Sequence, residues 1–173
     1  MAHKLKFFTQ SLPLRVLTFA LCLLLCIVVA ETTIVAQRAT RSFSVEETTI
    51  AQIHAAMREH RLTCRQLVDA YLERIDAYDK PGDKRGLAIN SLVVINPNAT
   101  KEADELDRRF AQGGLTGPLH CIPAIVKDNF ETIGMQSADG SLSLQGFISN
   151  KDAFQVRKIK EAGAIVLAKS NMA

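Results

Sequence analysis

Tryptophan is absent from this chain, and only two of its 173 residues are tyrosine. No basic stretch interleaved with aromatics occurs, so the usual signature of a nucleic-acid-binding surface is missing. The four cysteines include no C-x-x-C pair, and the four histidines do not cluster with acids. Metal-ligand spacing is therefore lacking, and no cofactor is expected. Internal repeats and low-complexity tracts are also absent, which excludes a solenoid or a linker array. What remains is long enough for one domain with a real core.

Charge is missing from one particular place. Val16 to Ala30 is an uncharged apolar stretch of 15 residues preceded by Lys4, Lys6 and Arg15. A basic start, a short apolar run and a small residue at its end describe a secretory signal peptide. Cleavage is expected after Ala30, with Ala36 and Ala39 as alternatives. The run is shorter than the roughly 20 residues that span a bilayer, and an uncleaved leader would be the only contact with a membrane. Cys22 and Cys26 both follow leucine, which does not fit a bacterial lipoprotein site. Residues 1–30 are read as the signal peptide, 31–42 as a linker, and 43–173 as the folded part. The expected location is secreted or periplasmic, with a membrane-anchored form as the alternative.

Removing that leader changes the electrostatics. Three of the chain's 21 basic residues leave with it and no acids, so 18 stand against 18. The basic pI belongs to the leader and does not report a polyanion-binding surface. Cys22 and Cys26 leave too. Cys64 and Cys121 remain, and their spacing alone does not say whether they pair.

The folded part reads as helices alternating with short apolar strands. Ser44 and Glu47 form a capping box for a helix carrying Ile50, Ile53, Ala56 and Met57. Thr63 and Gln66 repeat the box for a second helix with Leu67, Val68, Tyr71, Leu72 and Ile75 on one face. Lys80-Pro81-Gly82-Asp83 then marks a turn. Leu87 to Ile95 holds a strand over Leu92-Val93-Val94-Ile95, and Ala99 to Phe110 a third helix with Ala103, Leu106 and Phe110 inward. Asn98-Ala99-Thr100 is a glycosylation sequon, meaningful only in a eukaryotic secretory route. A strand is expected over Ile122 to Lys127 and a turn at Asp139-Gly140-Ser141. Asp152 should cap a helix carrying Ala153, Val156, Ile159 and Ala162, stopped by Gly163. Ala164 to Ala168 is a further strand. Uniformly apolar strands between helices imply an α/β sheet covered on both faces.

Lys127 stands out because it ends the apolar run Ile122-Pro123-Ala124-Ile125-Val126 and precedes Asp128-Asn129. A charged amine directed into an apolar wall is costly unless it is neutralised or paired. Desolvation lowers a lysine pKa and leaves the amine able to accept a proton. The bland reading is a strand-end lysine with its amine in solvent or against a carboxylate. Alternation puts Asp128 on the face opposite Lys127, and Asp128 and Asn129 are expected to brace the following turn.

Three segments carry a family resemblance. They are Leu62 to Leu72 with Ile89-Asn90-Ser91-Leu92 and Asn96-Pro97; Gly117 to Asn129; and Asp152-Ala153-Phe154 with Ala162 to Met172. In order and spacing they resemble the N-terminal portion of the amidase signature family. The resemblance implies an α/β fold with a large mixed sheet flanked by helices, ending here after the second core strand that follows the lysine segment. It implies hydrolysis of a carbon–nitrogen amide bond in a small-molecule or peptide substrate, or amide transfer to charged tRNA in relatives. Lys127 would be the base of a Ser–Ser–Lys triad. It would take a proton from a bridging serine held with a cis peptide bond, and that serine would activate the nucleophile.

Departures from the family pattern are Cys121 and Ala168 in place of usual glycines, Ser170 for a usual threonine, and Ser137-Ala138-Asp139-Gly140-Ser141 for a segment richer in threonine and alanine. Both triad serines lie, in the family, beyond the position of Met172. Residues 1–173 alone are therefore expected to be inactive, the alternative readings being a non-catalytic fragment or an amidotransferase-like subunit. Lys169 is read as structural, and Ser141 and Ser170 as turn or cap residues. A His120–Cys121 dyad is opposed by strand alternation, which points neighbouring side chains to opposite faces.

Overall fold

The computed structural model describes residues 43–79 and 89–172. The expected leader, the 31–42 linker and the Lys80–Asp83 turn lie outside the described residues.

The chain opens with two capped helices. α1 (Ile50–Arg58) starts at Thr49, whose side chain accepts from the Gln52 backbone while Gln52 reaches back to the cap. This corrects the sequence reading, which placed the box at Ser44 and Glu47. Both pairs have the required spacing, but Glu47 takes a left-handed φ of 52°, which breaks a helix begun at Ser44. Ser44 instead sits in a turn, its carbonyl accepting from the Thr48 hydroxyl at 2.9 Å. Starting at Thr49 buries Ile53, Ala56 and Met57 and leaves Ile50 exposed. α2 (Cys64–Tyr78) carries the expected Thr63–Gln66 box. Its first turn gains a second cap from far away in sequence. Asp107, on α3 (Ala99–Gly113), accepts from the backbone N–H groups of Cys64 at 2.7 Å and Arg65 at 3.0 Å. A carboxylate at a helix N-terminus satisfies orphan donors and opposes the helix dipole favourably.

α2 ends at Asp79, whose buried carboxylate accepts from the backbone N–H groups of Ser91 at 2.7 Å and Leu92 at 3.1 Å. Burial opposes the charge on Asp79, but the Ser91 and Leu92 donors outweigh it and hold the carboxyl below its usual range. The group thus anchors the start of β1 (Leu92–Ile95) against the end of α2.

Three strands form one mixed sheet in the order β1-β3-β2. Central β3 (Ile165–Ser170) runs antiparallel to β1 and parallel to β2 (Pro123–Lys127). α4 (Phe154–Glu161) precedes β3, and a short 3-10 turn at Leu142–Leu144 lies between β2 and α4. Asp152 does not cap α4; that position falls to Ala153 without a side-chain bond. Asp152 is drawn elsewhere, accepting from the Ile133 N–H at 2.8 Å and pairing with Lys160 at 2.9 Å.

Both faces of β3 are covered. Ile165 and Leu167 pack with α1, α2 and Ala103 of α3, while Val166 packs with Met135 and Val156 on the other side. A register shift opposite Ala124 and Ile125 leaves Leu167 unpaired with β2. A bulge of this kind re-aims the side chains beyond it. Lys169 therefore pairs with Val126 and lies on the Val166 face, not on the Leu167 face that simple alternation would assign.

Candidate active site

Lys127 is the last residue of β2 and pairs in register with Ser170, the last residue of β3. The two end at the carboxyl edge of a parallel strand pair, where open α/β sheets place their ligand sites. Lys127 is half-buried, and among the described residues its amine has no hydrogen-bond or ion-pair partner. The expected apolar wall is thus only partial, since Ile125, on the same face, is 47 % exposed.

Among the described residues the fully buried lysine is Lys169, at 0 % exposure. Its ammonium donates to the carbonyls of Phe130 at 2.8 Å and Gln136 at 3.2 Å and to the Ser137 hydroxyl at 2.9 Å. Asp128 lies 3.6 Å away as its counter-charge. Burial lowers the Lys169 pKa and Asp128 opposes that shift. With its donors committed to three acceptors and a carboxylate, Lys169 braces the segment that leaves Lys127, in agreement with its structural reading.

Asp128 completes the brace. Its second oxygen accepts from the Ala138 N–H at 3.2 Å and the Gly140 N–H at 3.5 Å. Asp139 and Gly140 both have positive φ, 52° and 69°, as expected of the turn assigned there. Asp128 is buried while Lys127 is not, so the two side chains do part at the strand end as alternation requires. The 128–140 segment is tied to β3 by the Asp128 N–H, which donates to the Ser170 carbonyl at 3.0 Å, and by the Asp128 carboxylate facing the Lys169 ammonium.

Behind β2 lies a second polar group that sequence reasoning missed. His54 on α1 donates through Nε2 to the His120 carbonyl at 2.9 Å. His120 Nδ1 accepts from the Thr116 N–H at 3.3 Å and contacts the Thr116 hydroxyl at 2.9 Å, which leaves the ring proton on Nε2. That Nε2 is buried with no partner among the described residues. Burial, then the neighbouring His54, holds the His120 pKa below its usual value, with Asp107 acting the other way. The separation of 66 positions between His54 and His120 explains why no local pattern announced the contact.

The two folded-part cysteines are joined. Cys64 and Cys121 form a disulfide with their Cα atoms 5.4 Å apart, a separation ordinary for such a bond. This removes the Cys121 thiol from any dyad with His120.

The Amidase family model matches residues 66–173. The chain is 36% identical over 129 residues to a glutamyl-tRNA(Gln) amidotransferase chain of Halorhodospira halophila, covering 74% of this chain and 25% of that protein. It is 33% identical over 127 residues to mandelamide hydrolase of Pseudomonas putida, covering 73% and 24%. Among solved structures it resembles the native peptide amidase of Stenotrophomonas maltophilia, with TM-score 0.68 and 42% identity over 73% of this chain and 25% of that one. The chain thus spans about a quarter of the length of these relatives. Matched along most of its folded part in sequence and in fold, this chain belongs to the amidase family.

Proposed function

We propose that Lys127 is the proton acceptor of an amide-cleaving site, and that this region serves hydrolysis of a carbon–nitrogen amide bond in a small-molecule or peptide substrate. The observation carrying the reading is the unengaged Lys127 amine at the carboxyl end of β2, inside the family-matched segment and braced from behind by Asp128 and Lys169. The amine there takes the proton of a bridging serine, which in turn takes that of the nucleophilic serine. The freed oxygen attacks the amide carbon, backbone N–H groups hold the oxyanion, and the proton returns to the departing amine before water releases the acyl group. The names of the peptide amidase and the mandelamide hydrolase support the substrate class. Both serines of that relay belong to a Gly/Ser-rich segment not found within residues 1–173, so these residues alone are expected to turn over no amide.

Export through the leader remains part of this reading. The Cys64–Cys121 bridge supports it, because disulfides persist in oxidising compartments. The same leader weighs against an amidotransferase role, whose work on charged tRNA is cytoplasmic.

A graft tests the lysine. Residues 43–172 replace the matched segment of the Stenotrophomonas maltophilia peptide amidase, and peptide-amide hydrolysis is measured. Activity should survive the graft and fall by about 10²–10⁴ on Lys127→Met. A Lys127→Met graft within tenfold of its parent would refute the assignment. Separately, amide turnover by residues 1–173 that is abolished by Lys127→Ala would overturn the expected inactivity.

A further inference from the structure

The turn that delivers the chain into β2 holds a conformation that its sequence disfavours. Cys121 has φ 62°, in the left-handed region that glycine tolerates and a residue with a Cβ avoids. The backbone around it is pinned. The N–H groups of Leu119 and Cys121 donate to the carbonyls of Ala162 and Gly163, each at 2.9 Å. One residue on, the Ile165 N–H donates to the Ile122 carbonyl at 3.0 Å. The approach is so close that a Cβ on Gly117 would lie 2.8 Å from the Ala162 carbonyl carbon, and one on Gly163 2.9 Å from His120 Cα. The turn cannot relax without parting the start of β2 from the start of β3.

Covalent chemistry holds this turn on its other side. Cys121 is bonded to Cys64 on the first turn of α2. Cys64 is itself fixed there, its N–H donating to Asp107 at 2.7 Å. Both cysteines have 0 % exposure, and 57 positions of sequence separate them. Closing so long a loop removes much of the freedom of the unfolded chain. Full burial denies a reducing thiol the in-line approach that exchange requires.

We propose that the Cys64–Cys121 bridge is a permanent maturation cross-link: it clamps the left-handed turn ahead of β2 onto α2, and the chain reaches its full stability only where a disulfide oxidant is present. In forming it, one cysteine thiolate attacks the oxidant's S–S bond and expels one thiolate. The second cysteine thiolate then attacks the resulting mixed disulfide and expels the other. Two protons leave the cysteines and the oxidant is reduced by two electrons to its dithiol form. Once the bridge is buried, reduction must wait for unfolding, so the environment during folding decides the outcome and the later environment does not.

The full chain, refolded with oxidised and reduced glutathione, provides the test. Non-reducing peptide mapping should find the Cys64 and Cys121 peptides joined. A phosphine reductant should leave them joined in native buffer and cleave them in urea. Cys64→Ala with Cys121→Ala should lower Tm by roughly 10–20 °C. Cys64→Ala with Cys121→Gly should recover about 5 °C of that loss, because glycine accepts the left-handed turn. An Ala/Ala chain that fails to fold counts for the proposal. Free alkylated thiols at both positions of the folded chain, cleavage in native buffer as fast as in urea, or an Ala/Ala variant with unchanged Tm would overturn it.

Discussion

Replacing Lys169 by methionine removes the buried ammonium that helps tie the 128–140 segment to the sheet. The change keeps a long apolar stem in a site with 0 % exposure, so little packing volume is lost. What goes is an ammonium with three acceptors between 2.8 and 3.2 Å and a carboxylate at 3.6 Å. The Gln136 carbonyl then loses its Lys169 donor inside the protein, at about 1–3 kcal/mol if nothing replaces it, while the Phe130 carbonyl keeps the Thr132 hydroxyl at 3.1 Å. Asp128, 3 % exposed, becomes a buried charge with backbone donors but no counter-ion. Breaking one side of such a pair costs about 3–5 kcal/mol. Some relaxation of the loop offsets the sum, so we expect a net loss of roughly 3–5 kcal/mol.

Urea unfolding followed by circular dichroism measures that loss, and a cycle with Asp128→Asn separates its parts. The amide keeps an oxygen for the Ala138 N–H and carries no charge to strand. The double variant should therefore be more stable than Lys169→Met alone. A pH titration adds an independent check. Because burial depresses the Lys169 pKa in the fold, the parent should gain stability as pH rises from that depressed value towards about 10.5, the unfolded value. The methionine variant should lack this gain. A single variant within 1 kcal/mol of the parent, or a cycle with no coupling (limits set by the usual ~0.5 kcal/mol additivity error), would refute the bracing role.

Two further outcomes are expected. His120 is buried with a depressed pKa, so its stabilising neutral form is complete above about pH 6.5 and is lost as pH falls through the lower folded value; Tm measured from pH 7.5 to 5 should drop in the parent and flatten in His120→Gln. For α1, Thr49→Ala should cost about 1 kcal/mol and Ser44→Ala only a few tenths, with equal losses in urea unfolding pointing to a cap at the wrong residue.

The elements that sequence reading placed well are those with a local cause. The Thr63–Gln66 box, the apolar stripe of α2 and the β3 run depend on neighbours a few positions apart, and the structure keeps them. The Ser44 cap failed because two boxes of equal local merit overlap, and only burial of Ile53 and Met57 chooses between them. Asp152 failed similarly, since an N-cap role lost to Ile133 and Lys160, donors that no local pattern reveals.

Sequence by itself determined the family of this chain, its alternation of helices and strands, and the position of Lys127 at a strand end. These follow from composition, spacing and motif, which are properties of one dimension. Tertiary structure alone decided which lysine is buried. A single bulge at Leu167 turns Lys169 onto the face of Asp128, while Lys127 is left half-open at the sheet's carboxyl edge. It also decided that Cys64 and Cys121 meet, and that Asp107 caps a helix 43 positions away. Each of these depends on distances closed by folding, and the free energy of a buried charge or a cross-link depends on its surroundings in space rather than on its neighbours along the chain.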